Sequence, residues 1–213
     1  MSKRVRILHF VEQVNQYDFV DTLIRHMQSA SLEAMLCVLH EHPNFITTDY
    51  RNIGIKFFNL DLYGRKSYLK VIARILTIIK EENIEILHCH LYDMAFLGAA
   101  IKWLNPSIKL VTSRHYSDDL YLTSKRWKLK RALWIEKFSN NKADAIISPS
   151  QVITDLLIRQ GVKPCKINRI DYCFDFSADK YIPSVDNDEY LSIRKRLLRQ
   201  PNDCFLIGNF ARH

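Results

Sequence analysis

Residues 84–116 read IEILHCHLYDMAFLGAAIKWLNPSIKLVTSRHY, and the fold turns on how this stretch divides. IEILHCH (84–90) and IKLVTSR (108–114) are short, almost continuously apolar runs, which suits strands buried on both faces of a parallel sheet. Between them, residues 93–104 are long enough for a helix and are followed by Asn105-Pro106-Ser107, a breaker cluster. Strand, helix and strand in this order form a β-α-β unit.

The same texture repeats in both directions. Further strands are expected at 5–11, 34–40, 54–60, 143–149 and 166–172, and further helices at 17–30, 66–82, 124–141 and 150–160. In the helix over 66–82, Leu69, Ile72, Leu76 and Ile79 are expected to share one apolar face, with Lys70, Arg74, Lys80 and Glu81 solvating the rest. Alternating strands and helices with short connections predict an α/β protein with a Rossmann-like, doubly wound, mostly parallel sheet.

Composition agrees with a globular chain. It has 213 residues, 47% hydrophobic and 25% charged, enough for one sizeable core or two small ones. No apolar run reaches the roughly 18 residues that span a bilayer. MSKRVRILHFVEQ starts like a signal peptide, but Glu12 interrupts its apolar part and no small-residue cleavage site follows, so it is expected to be a retained first strand. Cys37, Cys89, Cys165, Cys173 and Cys204 are scattered and form no C-x-x-C pair, which predicts neither a disulfide framework nor a zinc site and points to a reducing cytosol. A formal charge of +8 favours anionic partners: nucleic acid, an acidic membrane surface or phosphorylated small molecules.

After residue 172 the pattern changes. CFDFSADKYIPSVDND is polar and follows neither period, DEYLSIRKRLLRQ resumes a helical one, and CFLIGNFARH (204–213) begins another buried strand. The expected organisation is a Rossmann-like domain over 1–176, a linker and helix over 177–202, and the first strand of a second domain over 203–213.

Doubly wound sheets bind ligands beyond the carboxyl ends of their strands. The well-separated glycines of this chain form neither G-x-G-x-x-G nor a P-loop, which disfavours dinucleotide oxidoreductases and P-loop kinases. On a strand, His88 and His90 share a face while Cys89 points away, so this stretch alone offers no three convergent metal ligands, and hydrogen-bonded histidines are the expected state. His90, at the strand end, is the better placed to face a cleft. TSRHYSDD brings Arg114, His115, Tyr116, Asp118 and Asp119 to the next strand-end loop: an imidazole for proton transfer, a cation for anionic groups, and carboxylates. A solvated turn capping the following helix through Ser117 or Asp118 is the alternative. SKRWKLKR (124–131) interleaves five basic residues with Trp127 and Leu129. On a helix Trp127, Trp134 and Phe138 fall within about 40° of one another. A packed helix with a basic outer surface is the first reading, a membrane-surface helix the second and nucleic-acid recognition the third.

Taken together, RILHFVEQ, IEILHCHLYDMAFLGAAIKWL, KLVTSRHY, ADAIISPSQVITDLLIRQGVKPCKINRI, FDF and LIGNFARH resemble, in order and spacing, the amino-terminal half of family-four retaining glycosyltransferases of the GT-B fold. In that family two Rossmann-like domains face each other, the first binding the acceptor and the second a nucleotide-sugar. The resemblance implies that His115 lines the reaction cleft as the catalytic candidate. Asn15, Gln16, His90, Arg114 and Tyr116 are expected as acceptor- or substrate-binding residues. Asn15 and Gln16 lie in the loop after the first strand, where the family commonly has a glycine pair near phosphate; QVNQYDF has none. The turn usually written Pro-Asn-Gly-Val-Asp reads Asp171-Tyr172-Cys173-Phe174-Asp175, without the glycine's backbone freedom.

By this resemblance the chain is the acceptor-side domain of an enzyme that moves a hexose-type sugar with retention from a nucleotide-sugar to an acceptor, lipid-linked in many members. It implies that the domain alone is inactive, that no metal or other cofactor is needed, and that the protein is cytoplasmic, with the inner face of an anionic membrane as a candidate surface. Nucleic acid is not an expected partner. A non-catalytic α/β binding module is the alternative from another class.

Overall fold

A computed structural model describes residues 4–14, 19–28, 31–41, 50, 52–116 and 126–171. They all belong to one compact unit, Met1–Phe174; the remainder, Asp175–His213, lies outside the described residues, as does the expected strand over 203–213. The described elements run β1 (Val5–Val11), α1 (Phe19–His26), β2 (Leu32–Val38), β3 (Phe57–Asn59), α2 (Tyr68–Glu81), β4 (Ile86–His90), α3 (Tyr92–Leu104), β5 (Lys109–Ser113), α4 (Arg126–Lys142), β6 (Ala145–Ser148), α5 (Gln151–Arg159) and β7 (Ile167–Arg169). Every strand and helix expected over these residues is present, displaced at its ends by a few residues. The largest contractions are in α1, which ends at His26 rather than at 30, and in β3 and β7, each of which pairs over three residues of an expected seven.

The seven strands form one sheet in the order β3-β2-β1-β4-β5-β6-β7, and every pairing is parallel. Strand order reverses between β1 and β4, so the topological switch point of this Rossmann-like sheet lies at their carboxyl ends. Alternation along β1 and β4 sorts the two faces. Leu8, Phe10, Leu87 and Cys89 enter the larger core, with Val71, Ile75 and Ile78 of α2, Leu97 of α3 and Leu157 of α5. Val11, Leu36 and Val38 meet Ile24 of α1, Tyr50 and Ile55 on the opposite face. His9, His88 and His90 have the parity of this second face.

Local signals explain where the helices stop. Ser150 caps α5 by accepting a hydrogen bond from the Ile153 N–H, and Gly161, at φ 81°, closes it in the left-handed conformation that a side chain resists. In α3, Gly98 permits close approach to the sheet: a Cβ there would run into Cys89 Sγ and lie 2.9 Å from Leu110 Cδ1.

Two expected helix faces need correction. In α2 the buried stripe is Val71, Ile75, Ile78 and Ile79, with Ile72 and Leu76 flanking it, whereas Leu69 is 82% exposed. At 100° per residue the stripe's centre falls more than 120° from Leu69, which therefore points to solvent. In α4 the aromatic stripe is not core: Trp127 and Trp134 are each 61% exposed, and only Phe138 packs on the core. The buried face of α4 holds Glu136 and Ser139 instead, because Glu136 has a buried cation to meet.

Candidate functional site

At the switch point, the register of two parallel strands builds what neither strand holds alone. His9 of β1 pairs in register with His88 of β4, and His90 of β4 with Ser113 of β5. The three imidazoles stand on one face of the sheet with their rings in contact: His90 stacks on His88 and on His9, with ring centroids 4.2 Å and 5.4 Å apart, and His9 lies tilted against His88 at 4.8 Å. His115, just past β5, extends the stack, 5.6 Å from His90, and takes the edge of Phe19 from α1.

Hydrogen bonds run through the group. His9 Nδ1 lies 3.1 Å from His90 Nε2, His90 Nδ1 lies 3.3 Å from His115 Nε2, and His88 Nε2 lies 2.7 Å from Ser113 Oγ. His9, His88 and His90 are buried and His115 is half-buried. Burial disfavours the imidazolium, taking His9 and His115 down to about 4 and His88 and His90 well below the ordinary value. The expectation that His115 transfers protons near neutral pH therefore changes: it stands there as a neutral imidazole, suited to hydrogen bonding. His90 also differs from expectation. It is 1% exposed and both ring nitrogens are held by other imidazoles, so it links His115 to the sheet.

Arg114 was expected to lend charge to the cleft. Instead it is 4% exposed and meets Glu136 Oε1 of α4 at 3.3 Å, Gln160 Oε1 at 2.6 Å and the Tyr116 carbonyl at 3.3 Å. Gln160 closes the ring by donating to Glu136 Oε2 at 2.9 Å. The guanidinium also lies over the Tyr116 ring, 4.7 Å from its centroid. This network ties the end of β5 to α4 and to the turn after α5, so the charge of Arg114 is met inside the protein. Tyr116 is half-buried and makes an edge contact with Tyr92 at the start of α3. Asn15, Gln16, Asp118 and Asp119 lie outside the described residues.

Two features escaped the sequence reading. One is His9, the third buried histidine. Among the described residues, His9, His88 and His90 are the group able to offer metal-ligand atoms together, all within 4.8 Å of one another. The signal was a polar residue inside the apolar run VRILHFV, but only strand order brings it to His88. The other is Leu91, directly after His90, whose backbone sits at φ 68°, ψ 176°. A side chain there costs about 1–3 kcal/mol and such outliers cluster at working sites. A cavity of about 330 Å³ between α4 and the turn after α5 shares Glu136 and Gln160 with the arginine network but touches none of the histidines.

Comparison with known proteins agrees with this architecture. The family model described as Glycosyltransferase Family 4 matches residues 18–177. No curated protein matches the sequence. Among solved structures, HepE of Anabaena in complex with UDP-glucose is similar at a TM-score of 0.63 and 14% identity, over 91% of this chain and 50% of that one. A glycosyltransferase from Rickettsia africae gives 0.59 and 13%, over 93% and 51%. The UDP-GlcNAc 2-epimerase of Methanocaldococcus jannaschii gives 0.55 and 9%, over 80% and 46%. At these identities the likeness is one of fold, and the chain spans about half the length of the solved structures it resembles.

Proposed function

Because the chain belongs to glycosyltransferase family 4 and has the fold of an amino-terminal GT-B domain, we propose that it is the acceptor-side half of a retaining enzyme that transfers a hexose-type sugar from a nucleotide-sugar. The observation that carries this reading is the place of His115. It stands at the carboxyl end of β5, beside the switch point, as a neutral imidazole anchored from behind by His90. There it can hydrogen-bond a sugar hydroxyl or the oxygens of a departing phosphate, holding donor and acceptor in line without a proton transfer of its own. Tyr116 follows it in the chain, and the strained Leu91 follows His90. Asn15 and Gln16, in the loop after β1, are proposed as acceptor-side contacts, and the nucleotide is assigned to the facing domain. No metal or other cofactor is required by this scheme.

Two tryptophans, Trp127 and Trp134, stand exposed on α4 among the exposed Lys128, Lys130 and Arg131. They favour an anionic membrane surface as the place where a lipid-linked acceptor is met, since indole rings settle at headgroup depth and cations approach acidic lipids. No helix among the described residues is long and apolar enough to cross a membrane, so such contact would be peripheral.

The test uses the chain itself. With one wall of the cleft, it should bind UDP-glucose weakly, with a Kd near or above about 1 mM, or about −4 kcal/mol. In ¹⁵N-resolved NMR, millimolar UDP-glucose should shift the amides of Leu91, His115 and Tyr116 and leave the amino-terminal ends of the strands untouched. Micromolar affinity would overturn the division of labour between domains. Shifts confined to the opposite end of the sheet, or none at 10 mM ligand, would leave the non-catalytic module as the better reading.

A further inference from the structure

The contacts His9 Nδ1 to His90 Nε2 and His90 Nδ1 to His115 Nε2 make a file of three imidazoles running from the sheet interior to the end of β5. A neutral imidazole has one proton for two nitrogens, so a ring that donates on one side accepts on the other. In a file of neutral rings all protons therefore point the same way. Either each ring carries its proton on Nδ1 and the bonds run outward, or each carries it on Nε2 and they run inward. Burial keeps the rings neutral at ordinary pH.

The inner end chooses between the two. His9 is 0% exposed, and its Nε2 is the buried side-chain nitrogen with no hydrogen-bond partner among the described residues. An inward file would leave a buried N–H there without an acceptor. An outward file leaves only a bare lone pair, and orphaned buried donors are the rarer of the two in folded proteins. We propose that the histidine file is locked outward, so that His9 and His90 act as positioning residues that hold the proton of His115 on Nδ1 and make that ring a hydrogen-bond donor on the side away from His90.

The consequence for catalysis rests on the reading of His115 as the group beside the sugar. Phosphate and hydroxyl oxygens accept hydrogen bonds, so a ring preset with Nδ1–H meets them without first changing tautomer, whereas an inward file would present a lone pair to an anion. His88 lies outside the file. Its Nε2 meets Ser113 Oγ, and its ring stacks on His90 and lies tilted against His9. It therefore serves as an internal control.

The experiment needs no substrate, so its failure is separable from failure of the functional assignment. The chain, labelled with ¹⁵N-histidine, is observed at pH 7.5 by long-range ¹H–¹⁵N correlation, which tells a protonated ring nitrogen from a bare one. The expected pattern is a protonated Nδ1 and a bare Nε2 on His9, His90 and His115 alike. In His9→Phe the pattern at His115 should relax from nearly pure to a mixture. In His9→Asn, whose Nδ2 stands close to where Nδ1 stood, the pure pattern should return. Ser113→Ala, which removes the hydroxyl that His88 meets, should leave His115 unchanged. A protonated Nε2 on His115, or mixed tautomers at any of the three rings in the unmodified chain, overturns the proposal, and that measurement does not depend on any variant folding. Equimolar Zn²⁺ that moves the resonances of His9, His88 and His90 together also overturns it, by making the group a metal site.

Discussion

Mild acid should unfold this domain through its histidines. In the unfolded chain His9 takes up a proton near its ordinary value of 6.5; in the folded protein burial holds it at about 4. A base whose folded value is depressed contributes stability that is complete above 6.5 and is lost as pH falls towards 4, because only the unfolded state gains the proton in that interval. Between pH 7.5 and 4.5 this linkage amounts to about 2.5 kcal/mol for His9. His115 shifts by a like amount for the same reason, and His88 and His90, which face His9 from β4, act in the same direction. The four are neighbours, so their effects will not add simply. Against a domain stability of about 5–15 kcal/mol, two such losses come to about 5 kcal/mol by pH 4.5, enough to unfold a domain at the low end of that range, and the losses at His88 and His90 come on top. Urea unfolding followed by circular dichroism at pH 7.5, 6.5, 5.5 and 4.5 measures the loss. His9→Phe, which keeps a flat ring without a titrating nitrogen, should flatten the profile by about 2 kcal/mol across that range. A wild-type stability constant within about 0.5 kcal/mol from pH 6.5 to 4.5, or an unchanged slope in His9→Phe, would refute the reasoning.

Gly98→Ala should destabilise the domain by about 1–3 kcal/mol despite the better helix propensity of alanine, because the new methyl group meets Cys89 and Leu110, both buried; thermal unfolding reads the loss, and Cys89→Ala in the same chain should recover part of it. Arg114→Met should cost about 3–5 kcal/mol by leaving the Glu136 carboxylate buried without its cation, with partial recovery on adding Glu136→Gln, measured by urea unfolding. On vesicles rich in phosphatidylserine at low salt, the chain should co-sediment, and Trp127→Ala with Trp134→Ala should weaken binding by at least tenfold; equal binding by the variant would remove the membrane from the proposed function.

Much of this protein was legible in its sequence. The apolar runs of β1, β4 and β5 and the helical period of α2 specify strands and helices through local geometry alone, and their alternation implies a parallel sheet because parallel strands need crossovers. The strand-end position of His115 follows from the same pattern, since KLVTSRHY places it just past a buried run. Burial on a particular helix face was less legible: α2 and α4 carry apolar residues around more than one side, and only packing against the sheet decided that Leu69, Trp127 and Trp134 would face solvent while Glu136 would not. Tertiary structure alone made the site's character. The chain between His9 and His88 says nothing of their meeting; the order β2-β1-β4 and its register do. Arg114 reads in the sequence as a free cation and becomes a buried clamp because α4 and the turn after α5 bring Glu136 and Gln160 to it. Charge and protonation depend on what surrounds a group in space, through desolvation and partners, and those neighbours come from segments that local periodicity does not connect.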